Sequence, residues 1–358
     1  MPGSRRRPPE GGPDPLARGI VEAARQAASA AAGAASTEAL TPEPVELAGA
    51  GQAARDYAEA SRSPATRRAY RTAWQAFCDW CSSQEVPLGT QPLPASPVLV
   101  AAYAARLAQL GRRPSTVAQA MAAISVAHQA AGHPSPTRTA EVRAVVAGVR
   151  RTHGTATSGK TALETPALRE ALSAIPAGTS RGTRDRALLL LGFAGGFRRS
   201  ELVGLDLADL QVVPEGLRIR LRRSKTDQEG RGRLVGIPYG LHGETCPVRA
   251  VETWVEAAMI SEGPLFRTVD RAGRILPLRC SERAVARAVQ RAVRASGGNP
   301  SKVGAHSLRS GFVTSAARAG APTWAIQLQT GHRSLAQLHQ YVRAATLFQE
   351  NAARYVGL

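Results

Sequence analysis

The stretch from Gly304 to Tyr341 constrains this chain more than any other, because it sets a few polar side chains in a small, apolar background. His306 and Arg309 lie three positions apart, so on a helix they share one face. His332 follows a glycine, which is typical of a helix end. The leucines before Tyr341 recur at three-residue steps, and a helix with that stripe turns the tyrosine toward the same interior. Singly these could be a core histidine, a surface arginine and a core tyrosine; together they predict a polar site within a helical domain.

The composition indicates a polyanionic partner. The chain has 358 residues, enough for two domains, and 43% of them are hydrophobic. No run approaches the roughly 18 apolar residues of a membrane span. The net charge is +19, mostly from arginine, with a pI near 11.2. This balance favours nucleic acid as the partner, although an arginine-rich proteome from a GC-rich genome would give the same bias.

Four cysteines in a chain of this length do not form a disulfide framework. Cys78 and Cys81 form a C-x-x-C, but both follow the helical spacing of Tyr70, Trp74 and Phe77. We therefore expect them on a core stripe rather than in a metal or redox site. The chain carries no zinc-like or carboxylate cluster with the spacing of metal ligands, so we expect no metal and no cofactor. The predicted location is a reducing bacterial cytoplasm, in association with the nucleoid.

Composition shifts divide the chain into four segments. Residues 1–52 are rich in Pro, Gly, Ala and Arg without a signal-peptide core, and we expect a disordered tail; a transit peptide is the alternative. Residues 53–152 have a helical pattern throughout. Residues 153–162 are small and polar, as in an exposed linker, and residues 163–358 form a second domain.

The first domain is predicted to be a helical bundle. Its helices fall at about 64–84, from Ser96-Pro97 to about 111, at 115–132 and at 137–150. It carries basic residues without matching acids, which could be an ordinary solvated surface or a DNA-binding face: Arg67, Arg68, Arg71, Arg112 and Arg113.

The second domain is predicted to be mostly helical with one β-hairpin. Residues 216–222 and 233–237 alternate in hydrophobicity, and the polar segment between them contains glycine, as a hairpin tip does. Helices are expected from Thr165-Pro166, at 183–194, and then at 247–260, 281–296, 306–319, 323–330 and 334–343. The predicted fold class is mainly α with a small antiparallel β-sheet.

A second group of polar residues precedes the opening stretch. Gly196 to Leu202 reads G-F-R-x-x-E-L, in which Arg198 and Glu201 follow the apolar helix, and Lys225 lies where the first strand enters its hairpin tip. The ordered set is Arg198, Glu201, Lys225, His306, Arg309, His332 and Tyr341. With A-H-x-L-R-x-G-F and T-G-H-R-S, this order and spacing resemble the tyrosine recombinases, or phage integrase family, over residues 160–350. The resemblance implies two domains: an N-terminal helical core-binding (SAM-like) domain and an α+β integrase catalytic domain.

The resemblance also implies roles for these residues. Arg198 and Arg309 would hold the non-bridging oxygens of a phosphodiester, since two guanidiniums can do this without a metal. His306 and His332 would add a hydrogen bond or pass a proton. Lys225 would protonate the leaving 5′-oxygen. Tyr341 would be the nucleophile, leaving a 3′-phosphotyrosyl enzyme, and Glu201 would orient the site and moderate its charge.

The expected function is site-specific recombination of double-stranded DNA, for integration or excision of a mobile element. Two alternatives remain: a type IB topoisomerase, and a non-catalytic DNA-binding regulator on the same scaffold. After Tyr341, one apolar stripe is predicted on a short helix: Leu347, Phe348, Ala352 and Val356. In the family such a helix often docks on a neighbour, so we expect a monomer in free solution and a homotetramer on synapsed DNA; packing on its own domain is the alternative.

Overall fold

The computed structural model describes residues 53, 57, 61–83, 91–155, 159–222, 232–334, 338–339, 341–342, 346–347, 351, 353 and 356. The chain separates into two compact units, with the division between residues 157 and 158. The predicted tail, the hairpin tip and most of the C-terminal segment lie outside the described residues.

The first unit contains four helices: α1 (Pro64–Ser82), α2 (Pro97–Gln109), α3 (Pro114–Ala130) and α4 (Ala140–His153). Each of the first three begins with proline, and the side chains of Ser63 and Ser96 cap the first two by accepting from backbone N–H groups. The predicted helices are confirmed, with ends shifted by a few residues. The fourth starts later than expected, because a 3₁₀ turn occupies Pro136–Arg138.

Of the two cysteines of the C-x-x-C, Cys81 lies in the core of the first unit, as predicted, and Cys78 is half-buried. Phe77 and Cys81 are buried on α1, and Trp80 packs against Tyr103 of α2 with ring centroids 5.0 Å apart. Burial raises the pKa of the Cys78 thiol and raises that of Cys81 to about 11. Both thiols therefore stay protonated and serve as apolar packing.

The second unit is mostly helical, as predicted. Its elements in chain order are α5 (Thr165–Ser173), α6 (Ser180–Ala194), α7 (Arg199–Gly204), β1 (Leu210–Val213), β2 (Gly216–Leu221), β3 (Arg233–Pro238), α8 (Pro247–Ala257), β4 (Arg267–Val269), β5 (Ile275–Arg279), α9 (Glu282–Ala295), α10 (Ala305–Arg318) and α11 (Thr323–Thr330).

The three-stranded sheet β1–β2–β3 is an antiparallel meander. On β2 the side chains of Leu217, Ile219 and Leu221 are buried, whereas Arg218 and Arg220 are exposed, so the predicted alternation is correct. Strand β1 and the β4–β5 hairpin were not expected from the sequence. They are short, and their burial does not alternate in the way that marks β2.

The core of this unit positions the site. Helix α6 buries Leu188, Leu189 and Leu191 completely and is followed by Gly195 as its C-cap, after which Gly196 turns the chain with φ of 54°. That left-handed conformation favours glycine, and a Cβ here would lie 2.7 Å from the Thr330 side chain. Gly196 therefore allows the segment that carries Arg198 to run close beside the end of α11.

A smaller apolar cluster lies beneath α10 and α11. It consists of Val313, Ala317, Ile326 and Leu338, with Tyr341 partly buried against it. Leu338 is fully buried and residues 338–339 and 341–342 are helical, as the leucine stripe predicted. The apolar packing of this segment thus holds Tyr341 beside α10.

Candidate active site

Arg198 and Glu201 come together at the start of α7. The Glu201 carboxylate accepts from the Arg198 backbone N–H at 2.9 Å and from its Nη1 at 2.6 Å. Glu201 is buried, whereas the Arg198 side chain keeps 18% of its surface exposed. The carboxylate thus fixes one edge of the guanidinium, and part of that group stays accessible. The neighbouring Arg199 instead pairs with Glu282 at 2.7 Å and is largely exposed.

Arg309 is a buried guanidinium held by the backbone. Its Nη1 donates to the Gly196 carbonyl at 2.6 Å and to the Thr330 carbonyl at 2.7 Å. Its Nη2 is buried and has no hydrogen-bond partner among the described residues. An unpaired buried donor costs about 1–3 kcal/mol unless a ligand accepts from it. Burial, and after it the positive charge of Arg198, lowers the pKa of Arg309 to about 10.

His306 and Tyr341 form a direct pair. The His306 Nε2 and the Tyr341 hydroxyl oxygen are 3.0 Å apart. His306 is exposed as a residue, yet partial desolvation of the imidazole, together with Arg309 and Arg198, lowers its pKa below the usual value. His306 is therefore neutral at neutral pH, and Nε2 can accept the phenolic proton.

His332 follows Gly331, whose left-handed conformation (φ 65°) ends α11. Its Nδ1 lies 2.6 Å from the hydroxyl of Thr330. Burial lowers the His332 pKa to about 4, and Arg309 and Arg198 contribute to the shift. The structure thus brings together six of the seven residues that the sequence placed in the site. The seventh, Lys225, lies outside the described residues.

Two further residues of the site were not found from the sequence. Arg233, at the start of β3, donates to the carbonyls of Leu328, Gln329 and Thr330 at 3.4, 2.8 and 3.4 Å. It also lies 3.7 Å from Glu201. Thr330 is the second. Arg233 binds carbonyls of α11, and such contacts leave no motif in the sequence. Thr330 stands in the T-G-H-R-S motif, but the motif indicated no role for it.

The charges of the site do not balance. Three guanidiniums, those of Arg198, Arg233 and Arg309, surround the single carboxylate of Glu201. Both histidines are neutral because of their lowered pKa values, so the described part of the site has two positive charges in excess. This excess suits an anion with several oxygens.

The predicted DNA-binding arginines all lie in the first unit, exposed or half-buried. Arg67, Arg68 and Arg71 occupy the first turns of α1. Arg112 and Arg113 lie between α2 and the first residue of α3, and Arg113 is the residue that precedes α3.

Comparison with known proteins places the chain in a family. The model of the phage integrase family matches residues 162–347. An integrase/recombinase xerD homolog of Selenomonas ruminantium is 37% identical over 297 residues, which cover 82% of this chain and 86% of that protein. Tyrosine recombinase XerD of Xanthomonas axonopodis pv. citri is 34% identical over 186 residues, covering 49% and 56%.

Solved structures show the same fold. The XerH site-specific recombinase bound to a palindromic difH substrate aligns with a TM-score of 0.61 at 15% identity, covering 95% of this chain and 94% of that one. A lambda integrase dimer (residues 75–356) bound to a COC′ core site aligns with a TM-score of 0.56 at 18% identity, covering 78% and 89%. The predicted fold class is confirmed. With the family match and the xerD homolog, these findings establish that the chain belongs to the phage integrase family, the tyrosine recombinases.

Proposed function

We propose that this protein is a site-specific DNA recombinase that breaks and rejoins strands through a 3′-phosphotyrosyl intermediate, with Tyr341 as the nucleophile. One observation carries the assignment of residues: the Tyr341–His306 hydrogen bond lies beside an arginine, Arg309, that has a buried, unpaired Nη2. A nucleophile, a neutral base and an unoccupied cationic donor are what attack on a phosphodiester requires.

The bond changes follow from these positions. As the Tyr341 oxygen attacks phosphorus, its proton passes to Nε2 of His306. The bond from phosphorus to the tyrosine oxygen forms, and the bond to the 5′-oxygen breaks. Arg198 and Arg309 hold the non-bridging oxygens, where negative charge develops, and losing one such donor typically costs about 3 kcal/mol of transition-state stabilisation.

The leaving 5′-oxygen needs a proton of its own. A 5′-alkoxide is too basic to depart unprotonated, so a general acid must act on that side of the phosphorus. We assign this role to Lys225, by resemblance to the family. The new ester conserves the free energy of the cut bond, so a 5′-hydroxyl can reverse the reaction without a nucleoside triphosphate or a metal ion.

Double-stranded DNA is the proposed partner. The net charge of +19 and the excess charge of the site support it, and the XerH and lambda integrase structures are complexes with DNA. In the first unit, we assign contacts with the phosphate backbone of the DNA to Arg67, Arg68, Arg71, Arg112 and Arg113.

Among the described residues, the structure has no helix with the length and apolar character of a membrane span. We place the protein in the bacterial cytoplasm with the nucleoid, and propose excision or integration of a mobile element as its role.

We further propose a monomer in free solution and a homotetramer on paired sites. Of the predicted C-terminal stripe, Leu347 and Val356 are described and exposed, and Phe348 and Ala352 lie outside the described residues. Exposed apolar residues at this position support docking on a neighbour. Deleting residues 348–358 should leave folding and single-site binding intact and abolish pairing of sites. A truncated protein that recombines normally would contradict this.

Covalent trapping tests the function. The substrate is a plasmid that carries the DNA flanking the gene, and reactions are quenched with denaturant. We expect a protein–DNA adduct that maps to Tyr341, a free 5′-hydroxyl, and exchange between two copies of the site without ATP or divalent metal. Supercoil relaxation without exchange would indicate a topoisomerase. Specific binding without an adduct would indicate a regulator.

A further inference from the structure

The hydroxyl of Thr330 lies between two groups. Thr330, the last residue of α11, is completely buried. Its Oγ1 is 2.6 Å from the carbonyl oxygen of Ile326, one turn back, and 2.6 Å from Nδ1 of His332. The left-handed Gly331 between them brings the imidazole back over the end of the helix.

The proton positions follow from the donor inventory. A hydroxyl has one proton, and a carbonyl oxygen can only accept. Two oxygens at 2.6 Å repel unless a proton lies between them, so the Thr330 hydroxyl donates to Ile326. Its lone pair then faces His332, and Nδ1 must carry a proton to donate to it. A neutral imidazole has one N–H, so Nε2 is unprotonated.

We propose that Thr330 is a positioning residue that fixes His332 in the Nδ1–H tautomer, so that Nε2 is the nitrogen that can take up a proton from solvent and donate it in a hydrogen bond to the phosphodiester. Its role in cleavage rests on the function proposed above; the tautomer itself does not. The Thr330 oxygen accepts from Nδ1 whether the ring is neutral or protonated. Proton exchange at Nε2 therefore leaves the contact with α11 unchanged.

The surroundings of the ring make the tautomer matter. The charged and titratable groups that act on His332 are Arg309 and His306 of α10, Arg198 at the start of α7 and Arg233 of β3. These groups and burial favour the neutral ring. A neutral ring has one donor and one acceptor, and Thr330 decides which nitrogen is which. In the part of the chain that the structure describes, Nε2 has no hydrogen-bond partner, whereas Nδ1 contacts Thr330.

Two substitutions separate the hydroxyl from the shape of the side chain. Thr330→Val keeps the branched shape and removes the hydroxyl, whereas Thr330→Ser keeps the hydroxyl. Thr314→Val, at a buried position of α10 outside the site, is the matched control for loss of a buried threonine.

The first measurement is ¹⁵N NMR of histidine-labelled, DNA-free protein at pH 7. The chain has seven histidines, and His332→Gln assigns the signal. Wild type, Thr330→Ser and Thr314→Val should show a protonated Nδ1 and an unprotonated Nε2. Thr330→Val should show a proton on Nε2 or a mixture of tautomers. A wild-type ring protonated at Nε2 would overturn the proposal, and so would a Thr330→Val ring that stays protonated at Nδ1 only.

The second measurement is the rate of covalent trapping across pH, with DNA affinity followed separately by gel shift. Thr330→Val should lower the rate at least tenfold and change its pH profile with little effect on affinity, and Thr330→Ser should restore it. If Thr330→Val changes the tautomer of His332 but not the rate of covalent trapping, Thr330 has no role in cleavage. If wild type forms no adduct, the proposed function fails while NMR still decides the tautomer. If Thr330→Val does not fold, the wild-type and Thr330→Ser spectra decide.

Discussion

Tyr341 and His306 are separated by 35 positions in the chain, yet the phenolic oxygen and Nε2 lie 3.0 Å apart. The pair joins a residue of α10 to one that is anchored by the buried Leu338. Since His306 is neutral at neutral pH, the contact is a route for the phenolic proton.

The nucleophile assignment predicts that Tyr341→Phe binds DNA normally and forms no covalent adduct, because only the phenolic oxygen is lost. Trapping on a nicked duplex, followed by peptide mapping, measures this. Tyr239→Phe is the control, since Tyr239 is exposed after β3 and should be dispensable. A covalent adduct that maps to Tyr239 or Tyr355 would contradict the assignment of Tyr341 as the nucleophile.

The action of Arg198 and Arg309 on the phosphodiester should depend on the forked shape of the guanidinium as well as on its charge. Arg198→Lys and Arg309→Lys should each lower the trapping rate nearly as far as the alanine variants do. Arg199→Lys, the adjacent residue paired with Glu282, should be close to wild type. A lysine variant at either position that kept a trapping rate within about tenfold of wild type, a difference of roughly 1.4 kcal/mol in activation free energy, would contradict bidentate binding.

The cleavage rate should fall at acid pH. His306 must be neutral to accept a proton, and its pKa lies below the usual value of about 6.5. The acid limb of the pH–rate profile should therefore lie below pH 6.5, with the rate rising as pH increases through the pKa of His306. Single-turnover trapping in a pH series measures it. An acid limb centred above pH 7 would exclude a neutral His306 as the base.

The assignment of Lys225 as the general acid predicts that its loss can be rescued by a better leaving group on the DNA. Lys225→Ala should fail on normal DNA and recover on a strand whose 5′-bridging oxygen is sulfur, because a thiolate leaves without a proton. Arg309→Ala should not recover on the same strand. Failure of Lys225→Ala on both strands would make the lysine a positioning residue and place the acid elsewhere.

Arg233 should hold the end of α11 in place. Arg233→Ala removes a donor from the Leu328 and Gln329 carbonyls, one of two donors from the Thr330 carbonyl, and an ion-pair partner from Glu201. We therefore expect at least a tenfold loss of trapping rate and a lower melting temperature. Arg233→Lys should recover only part of the rate, since an ammonium cannot span all four groups. Arg274→Ala is the control, at an exposed ion pair in the β4–β5 turn. Normal cleavage by Arg233→Ala would show that α11 needs no such support.

The sequence predicted those parts of the site that use side chains in a fixed order. Arg198, Glu201, His306, Arg309, His332 and Tyr341 carry recognisable spacing, and the structure brings them together. It did not predict Arg233, because its partners on α11 are main-chain carbonyls, which every residue possesses. It gave no role to Thr330, because the spacing of the T-G-H-R-S motif does not show which side chain contacts His332. In the same way, the alternation of β2 revealed the hairpin, whereas β1 is too short to leave a pattern.

The anchoring of Arg309 has a consequence for how the sequence of this protein can change. Its two hydrogen-bond acceptors are backbone carbonyls, those of Gly196 and Thr330, and no substitution deletes a carbonyl. Neighbouring side chains can therefore be substituted without removing the hydrogen bonds that hold the guanidinium. The path of the main chain, by contrast, must be kept. That path depends on the left-handed turn at Gly196, where an added methyl group would clash with Thr330 at the end of α11. A glycine with no functional group of its own thus sets the position of an arginine more than a hundred residues away.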